Sequence, residues 1–292
     1  MEDFRLTTPV ALFVFNRPDT TARVFAQIRQ AKPAKLFIVA DGPRNDHPHD
    51  TDACAATRAI VQQVDWDCDC TFNYAVGNMG CKTRMATGLD WVFANAEEAI
   101  ILEHDTLPHP DFFRFCQELL AMYREDERIM SIGGCNFQFD QNQTGYSYYF
   151  SRHVHCWGWA SWQRAWRHYD KNMTLWPEVS RSGFLTSILG HDLGAAYWQK
   201  ILDLTYHGCI DTWDYQWVFS CWCQNALSIL PHTNLVANIG FGAQGTHTTN
   251  ASSRVAHIPV APVNFPLQGP PYMLRHVDAD EYTQQLYNAG EM

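Results

Sequence analysis

Three polar residues, Glu103-His104-Asp105, end a short apolar run, Ala99 to Leu102, and Pro108 and Pro110 precede a helix-like pattern opening near Asp111. A run of this length and aliphatic character predicts a buried strand. Such a strand would deliver two carboxylates and one imidazole to its own C-terminal tip, where ligands bind in open α/β sheets. Acids two apart on an extended chain project from one side, an arrangement that suits a hard divalent cation. In isolation the same triplet could be a solvated strand end with a helix cap.

Two further stretches carry side chains fit for chemistry. Ile210 to Trp217, IDTWDYQW, places Asp211 and Asp214 among aromatics at the start of a predicted helix, Tyr215 to Asn225. Asp211 reads as the cap of that helix. Asp214, three residues on, is a second acid amid the same aromatics. Asn234 to Thr248 runs from a strand into a loop with Gly240, Gly242 and Gly245. Its glycines would supply mobility, Thr246 a hydroxyl, and His247 a metal or phosphate ligand.

These residues need elements to hold them. Pro9 to Phe15 reads as a strand buried on both faces, followed by a helix through about Gln30 with Val24, Phe25 and Ile28 inward. Leu36–Ala40 and Cys70–Val76 are further strands, and Asp52–Val64 and Lys82–Phe93 further helices. The Ala99 strand is then fourth and Ile129–Gly133 fifth. This alternation predicts an α/β fold with a doubly wound, mostly parallel sheet. Asn16-Arg17, Asp41, Glu103 and Asp105 all fall at C-terminal ends of strands, hence along one sheet edge. An acid there accepts from a base N–H or a ribose hydroxyl, and an arginine forks onto phosphate. No G-x-G-x-x-G or Walker A sequence follows the first strand, so neither an ordinary dinucleotide domain nor a P-loop NTPase is expected.

The 292 residues are 46% hydrophobic and 18% charged, a globular composition, and the net charge of −10 offers no basic excess for nucleic acid. No run reaches membrane-span length and MEDFRLTTP lacks signal-peptide regions, so a cytoplasmic location is expected. The ten cysteines include no C-x-x-C pair, which argues against a zinc ribbon and for reduced thiols. Nine of the eleven tryptophans follow residue 150, and their flat faces suit either a core or sugar rings. Trp162 and Trp166, four apart, are expected to share a helix face. His153 and His155 read as packing on a strand more than as a metal pair. Beyond Pro259 the proline-rich sequence reads as an extended tail.

Val14-Phe15-Asn16-Arg17-Pro18, Val39-Ala40-Asp41-Gly42-Pro43, and Leu102-Glu103-His104-Asp105 with Pro110-Asp111-Phe112-Phe113 together resemble the nucleotide-sugar half of GT-A glycosyltransferases. The likeness is to the N-acetylglucosaminyltransferase I type and bacterial nucleotide-diphospho-sugar transferases. It implies a GT-A fold with a Trp-rich acceptor-side lobe. By the resemblance, Asp105, last of an E-D-D triplet whose middle acid is here His104, holds Mn²⁺ or Mg²⁺ against the donor diphosphate. Arg17, Asp41 and Arg84 would contact the nucleotide, with Arg84 standing where the family has a histidine. Trp213-Asp214-x-x-Trp217 resembles the segment carrying the catalytic base, with Asp211 as rival, and the loop through Thr246 and His247 resembles one that orders over the diphosphate.

The expected organisation is a nucleotide-sugar half at 1–135, an acceptor and catalytic half at 136–258 of the same domain, and a tail at 259–292. The expected activity is inverting transfer from a nucleotide-diphosphate sugar, UDP favoured, to a glycan or glycolipid hydroxyl, with peripheral membrane association through the acceptor. The alternatives are a sugar nucleotidyltransferase, which would need a Gly-rich basic loop after the first strand, and a carbohydrate-binding protein, a class usually all-β.

Overall fold

The computed structural model describes residues 4–141, 144–190, 192–242 and 253–291. The first half alternates as the sequence predicts: β1 (Val10–Val14), α1 (Pro18–Ala31), β2 (Lys35–Ala40), α2 (Asp50–Val61), β3 (Asp69–Tyr74), α3 (Cys81–Asn95) and β4 (Glu98–Glu103). Then follow β5 (Thr106–Pro108), α4 (Asp111–Met122) and β6 (Ile129–Gly133). The second half adds β7 (Tyr148–Ser151), β8 (Trp159–Trp162), the short helices α5 (Gln163–Trp166), α6 (Trp176–Val179) and α7 (Phe184–Leu189), and the longer α8 (Asp192–Tyr206) and α9 (Asp214–Cys223). Strands β9 (Leu227–Pro231) and β10 (Val236–Asn238) and a last helix, α10 (Val277–Asn288), complete the chain.

Eight strands form one mixed sheet in the order β3-β2-β1-β4-β8-β6-β9-β7. Strands β3, β2, β1 and β4 pair in parallel, β8 runs against both β4 and β6, β6 and β9 are parallel, and β7 opposes β9. Six strands therefore share one direction, and helices flank the sheet. Every residue of β1 is buried, as a strand covered on both faces requires. Helix α1 starts on Pro18, buries Thr21, Val24, Phe25 and Ile28 as one stripe, and ends where Lys32 turns left-handed (φ 48°) and donates its N–H to Ile28. Register aligns Phe13 with both Val39 and Glu103, so the tips of β1, β2 and β4 lie level at one edge.

Two expectations are corrected by packing. Trp162 ends β8 and Trp166 ends α5, so they share no helix face. The segment Trp159–Trp162 is a fully buried strand at mid-sheet because its bulky side chains serve the core on both sides. Trp159 packs on Trp213 and Trp217 (both 5.7 Å between ring centres), and Trp166 on Trp217 (5.3 Å). The C-terminal segment is irregular through Pro271 but closes in α10, whose Ala279, Asp280, Thr283, Gln284, Leu286 and Tyr287 are buried. Prolines near residue 270 masked that periodicity. His153 and His155 are both buried, His153 Nε2 lying 3.1 Å from the Asp280 carbonyl and His155 against the Phe137 ring. Among the described residues no helix is long and apolar enough to cross a membrane.

Candidate active site

A cavity of about 490 Å³ opens at the C-terminal edge of β1, β2 and β4. Arg17, Asp41, Arg84, Glu103, His104, Asp105, Asp211 and Asp214 all line it. They come from positions up to 197 residues apart, and parallel strands carry them there: β1 delivers Arg17, β2 Asp41, and β4 the Glu103-His104-Asp105 triplet. Thr246 and His247 lie outside the described residues.

Asp41 is 5% exposed and fixed by three donors. Its Oδ1 accepts the N–H of Gly42 (2.8 Å) and Met79 (2.9 Å), and its Oδ2 accepts Asn78 Nδ2 (3.0 Å). Burial pushes this carboxyl up despite those bonds and the nearby Arg84. The turn after Asp41 is tight: a Cβ on Gly42 would stand 2.5 Å from the Gly77 carbonyl carbon, so backbone meets backbone there. Arg84 is 6% exposed. Its Nη2 donates to the backbone and side-chain oxygens of Asn73, while its Nε has no partner among the described residues. Burial lowers its pKa, partly offset by Asp41.

At the tip of β4, Arg17 Nη1 lies 3.2 Å from Asp105 Oδ2, and His104 Nε2 lies 3.9 Å from the same oxygen. Burial lowers the His104 pKa, which favours the neutral imidazole that binds metals. Burial and the like charges of Asp105 and Asp214 push the Glu103 carboxyl up, with Arg17 opposing. Strand β10 pairs antiparallel with β5 and carries the start of the Gly-rich loop onto this tip: Ile239 N–H donates to the Asp105 carbonyl (2.8 Å). A Cβ on Gly240 would stand 2.1 Å from Asp105 Oδ2, so only glycine fits there.

Among the described residues no three His, Cys, Asp or Glu side chains are grouped to hold a metal. Asp105 with His104 nevertheless fits a cation that takes one or two protein ligands and fills its shell with phosphate and water oxygens.

Asp214 is the first residue of α9, where a helix N-terminus favours an anion. Its Oδ1 accepts the Tyr215 N–H (3.0 Å) and the Thr212 hydroxyl. The stack of Trp213 on Trp159 pins this helix start to the central sheet. Asp211 is not the cap, because the N-cap position belongs to Trp213 and Asp211 lies outside the helix. The Asp211 carboxylate instead extends toward Gly80, within 3.8 Å of where a Cβ would stand.

Sequence reasoning missed Arg44, Asn78 and Cys81, which also line the cavity, as does Trp157. Arg44 ends the Asp41-Gly42-Pro43 turn, and that proximity to a strand-end acid was the available signal. Its Nε and Nη2 donate to the two oxygens of Asp50 (2.6 and 3.0 Å), and Asn16 Nδ2 joins them at 2.8 Å. Arg44 thereby holds the Asp50 carboxyl well below the usual carboxylate range. A carboxyl depressed by folding contributes stability above its ordinary pKa, near 4, and loses it as pH falls through the lower folded value. Asp50→Asn should therefore cost about 1–3 kcal/mol at pH 7, a gap to wild type that narrows below about pH 4. Denaturant titrations at pH 7 and pH 2 check this, and an equal gap at both would refute it.

No protein-family model matches the chain, and no curated protein matches it. Among solved structures it is similar to a mannosyltransferase from Pyrobaculum calidifontis in complex with GDP-Man and Mn²⁺, at 16% identity over 55% of this chain and 45% of that one, with a TM-score of 0.38. It is similar to GalNAc-T7 with UDP, GalNAc and Mn²⁺ at 10% identity over 85% and 46%, TM-score 0.46. A UDP-glucose pyrophosphorylase complexed with UDP-glucose shares 13% identity over 50% and 62%, TM-score 0.27. The chain thus spans under half the length of the first two and less than two thirds of the third.

Proposed function

We propose that this protein is a metal-dependent, inverting glycosyltransferase of GT-A type that moves a sugar from a nucleotide-diphosphate donor to an acceptor hydroxyl. The observation that carries the reading is the meeting, in one cavity, of arginines and a buried acid at the β1 and β2 tips with carboxylates at the β4 tip and the start of α9. In this reading Asp41 accepts from the base or ribose, and Arg84 and Arg17 donate to the nucleotide and its phosphates. Asp105, with His104, holds Mn²⁺ or Mg²⁺. When bound, the cation neutralises charge on the leaving diphosphate. Asp214 accepts the acceptor hydroxyl's proton on the face opposite that leaving group, which gives inversion. Trp157 and Trp213 are the tryptophans on the cavity wall and offer the sugar a flat face. UDP is the donor nucleotide favoured, and the acceptor a glycan or glycolipid.

Thermal unfolding with UDP, GDP and dTDP, each with and without Mn²⁺, tests the reading. One nucleoside diphosphate should stabilise the protein, and more so with Mn²⁺, by the mass-action amount its affinity sets. A sugar-binding module would respond to neither. A nucleotidyltransferase would instead release pyrophosphate from a nucleoside triphosphate and a sugar phosphate. No response to any nucleotide would overturn the proposal.

A further inference from the structure

We infer that the cavity selects donors whose sugar is uncharged or amine-bearing and rejects uronates, an inference that rests on the donor reading above. The cavity wall is polarised. Its lining cations are Arg17, Arg44 and Arg84, on or beside the β1, β2 and α3 ends where the nucleotide would lie. Each is engaged: Arg17 with Asp105 at 3.2 Å, Arg44 with Asp50 at 2.6 Å, and Arg84 with Asn73.

Beyond Asp105 the wall turns acidic. Asp214 opens α9, and Asp211 reaches across toward Gly80 at the head of α3. Cys81, the first residue of α3, lines the same stretch of wall. A sugar placed between the metal acid Asp105 and the base Asp214 lies against this wall. Ionised carboxylates only accept hydrogen bonds, so they bind ring hydroxyls or an ammonium group and repel a sugar carboxylate. Among the described lining residues, the stretch 210–215 that carries both acids has no lysine or arginine to offset the repulsion.

Binding of matched pairs in the presence of Mn²⁺ tests this: UDP-glucose against UDP-glucuronate, and GDP-mannose against GDP-mannuronate, measured by calorimetry beside UDP and GDP alone. In the pair whose nucleoside diphosphate binds, the uronate should bind about tenfold to a hundredfold more weakly than the neutral sugar. Asp211 is exposed, so Asp211→Asn should fold, and it should narrow that ratio several-fold by relieving uronate binding more than it changes neutral-donor binding. Equal binding of both sugars, with the diphosphate and Mn²⁺ still bound, would overturn the inference and leave the donor reading standing. A ratio unmoved in both Asp211→Asn and Asp214→Asn would overturn it as well. If neither diphosphate binds, the donor reading fails and this inference falls with it.

Discussion

Replacing Asp214 by asparagine should lower turnover by about two to four powers of ten while donor binding stays nearly normal. The substitution is close to a clean test of proton transfer. Asn keeps an acceptor oxygen for the Tyr215 N–H and the Thr212 hydroxyl, so the start of α9 has no reason to move. The stack of Trp213 on Trp159 is likewise untouched. What Asn cannot do is take a proton. Asp211→Asn is the paired control: if Asp211 is the base, its variant shows the larger loss and the roles exchange. Turnover within a few-fold of wild type in Asp214→Asn would end the assignment. Proton NMR of the first-formed product gives the stereochemical check, since a product that keeps the donor's anomeric configuration rules out single displacement.

The second large effect concerns Asp105. Asp105→Asn should erase the gain in donor affinity that Mn²⁺ provides, on the order of a hundredfold, because a neutral amide is a poor ligand for a hard cation. The structure makes a sharper statement than simple loss. Asp105 Oδ2 accepts Arg17 Nη1 at 3.2 Å. Asparagine weakens that pair and removes a negative charge beside the phosphate position, so metal-free donor affinity should hold or rise as the metal effect disappears. Donor titrations with Mn²⁺ and with chelator, in wild type and variant, measure both quantities. A variant with an undiminished metal effect would refute the role.

Much of the first half was legible because its signals are local. Short aliphatic runs alternate with amphipathic stretches, and a polar residue at the end of such a run must fall at a strand tip. Arg17, Asp41 and the Glu103–Asp105 triplet were found in this way, and the structure gathers them at one cavity. The second half was harder for a physical reason. Trp159–Trp162 is a four-residue strand buried on both faces, so it shows neither alternation nor helical spacing. The β5–β10 pairing joins residues about 130 apart through three-residue strands, and no local pattern announces it. Helix α10 was hidden behind prolines, and its buried Asp280 and Gln284 look like surface residues until Arg275 and Trp198 are seen bonded to them. Asp211 looked like a cap because Asp is a common cap. Only the backbone shows that Trp213 holds that place.

Strand β8 sets the stiffness of the whole machine. It comes from late in the chain yet lies between β4 and β6, paired Ile101 to Trp159 on one side and Gly133 to Trp159 on the other. From Trp159 the ring stack leads to Trp213 and the next residue is Asp214, while along β4 the same ladder leads to Asp105. A single short load path thus ties the two acids, and it runs through close-packed aromatic rings that yield little. The two halves cannot swing apart like jaws without tearing a ladder out of mid-sheet. In the proposed reaction Asp105 and Asp214 therefore keep their spacing while substrate enters and leaves.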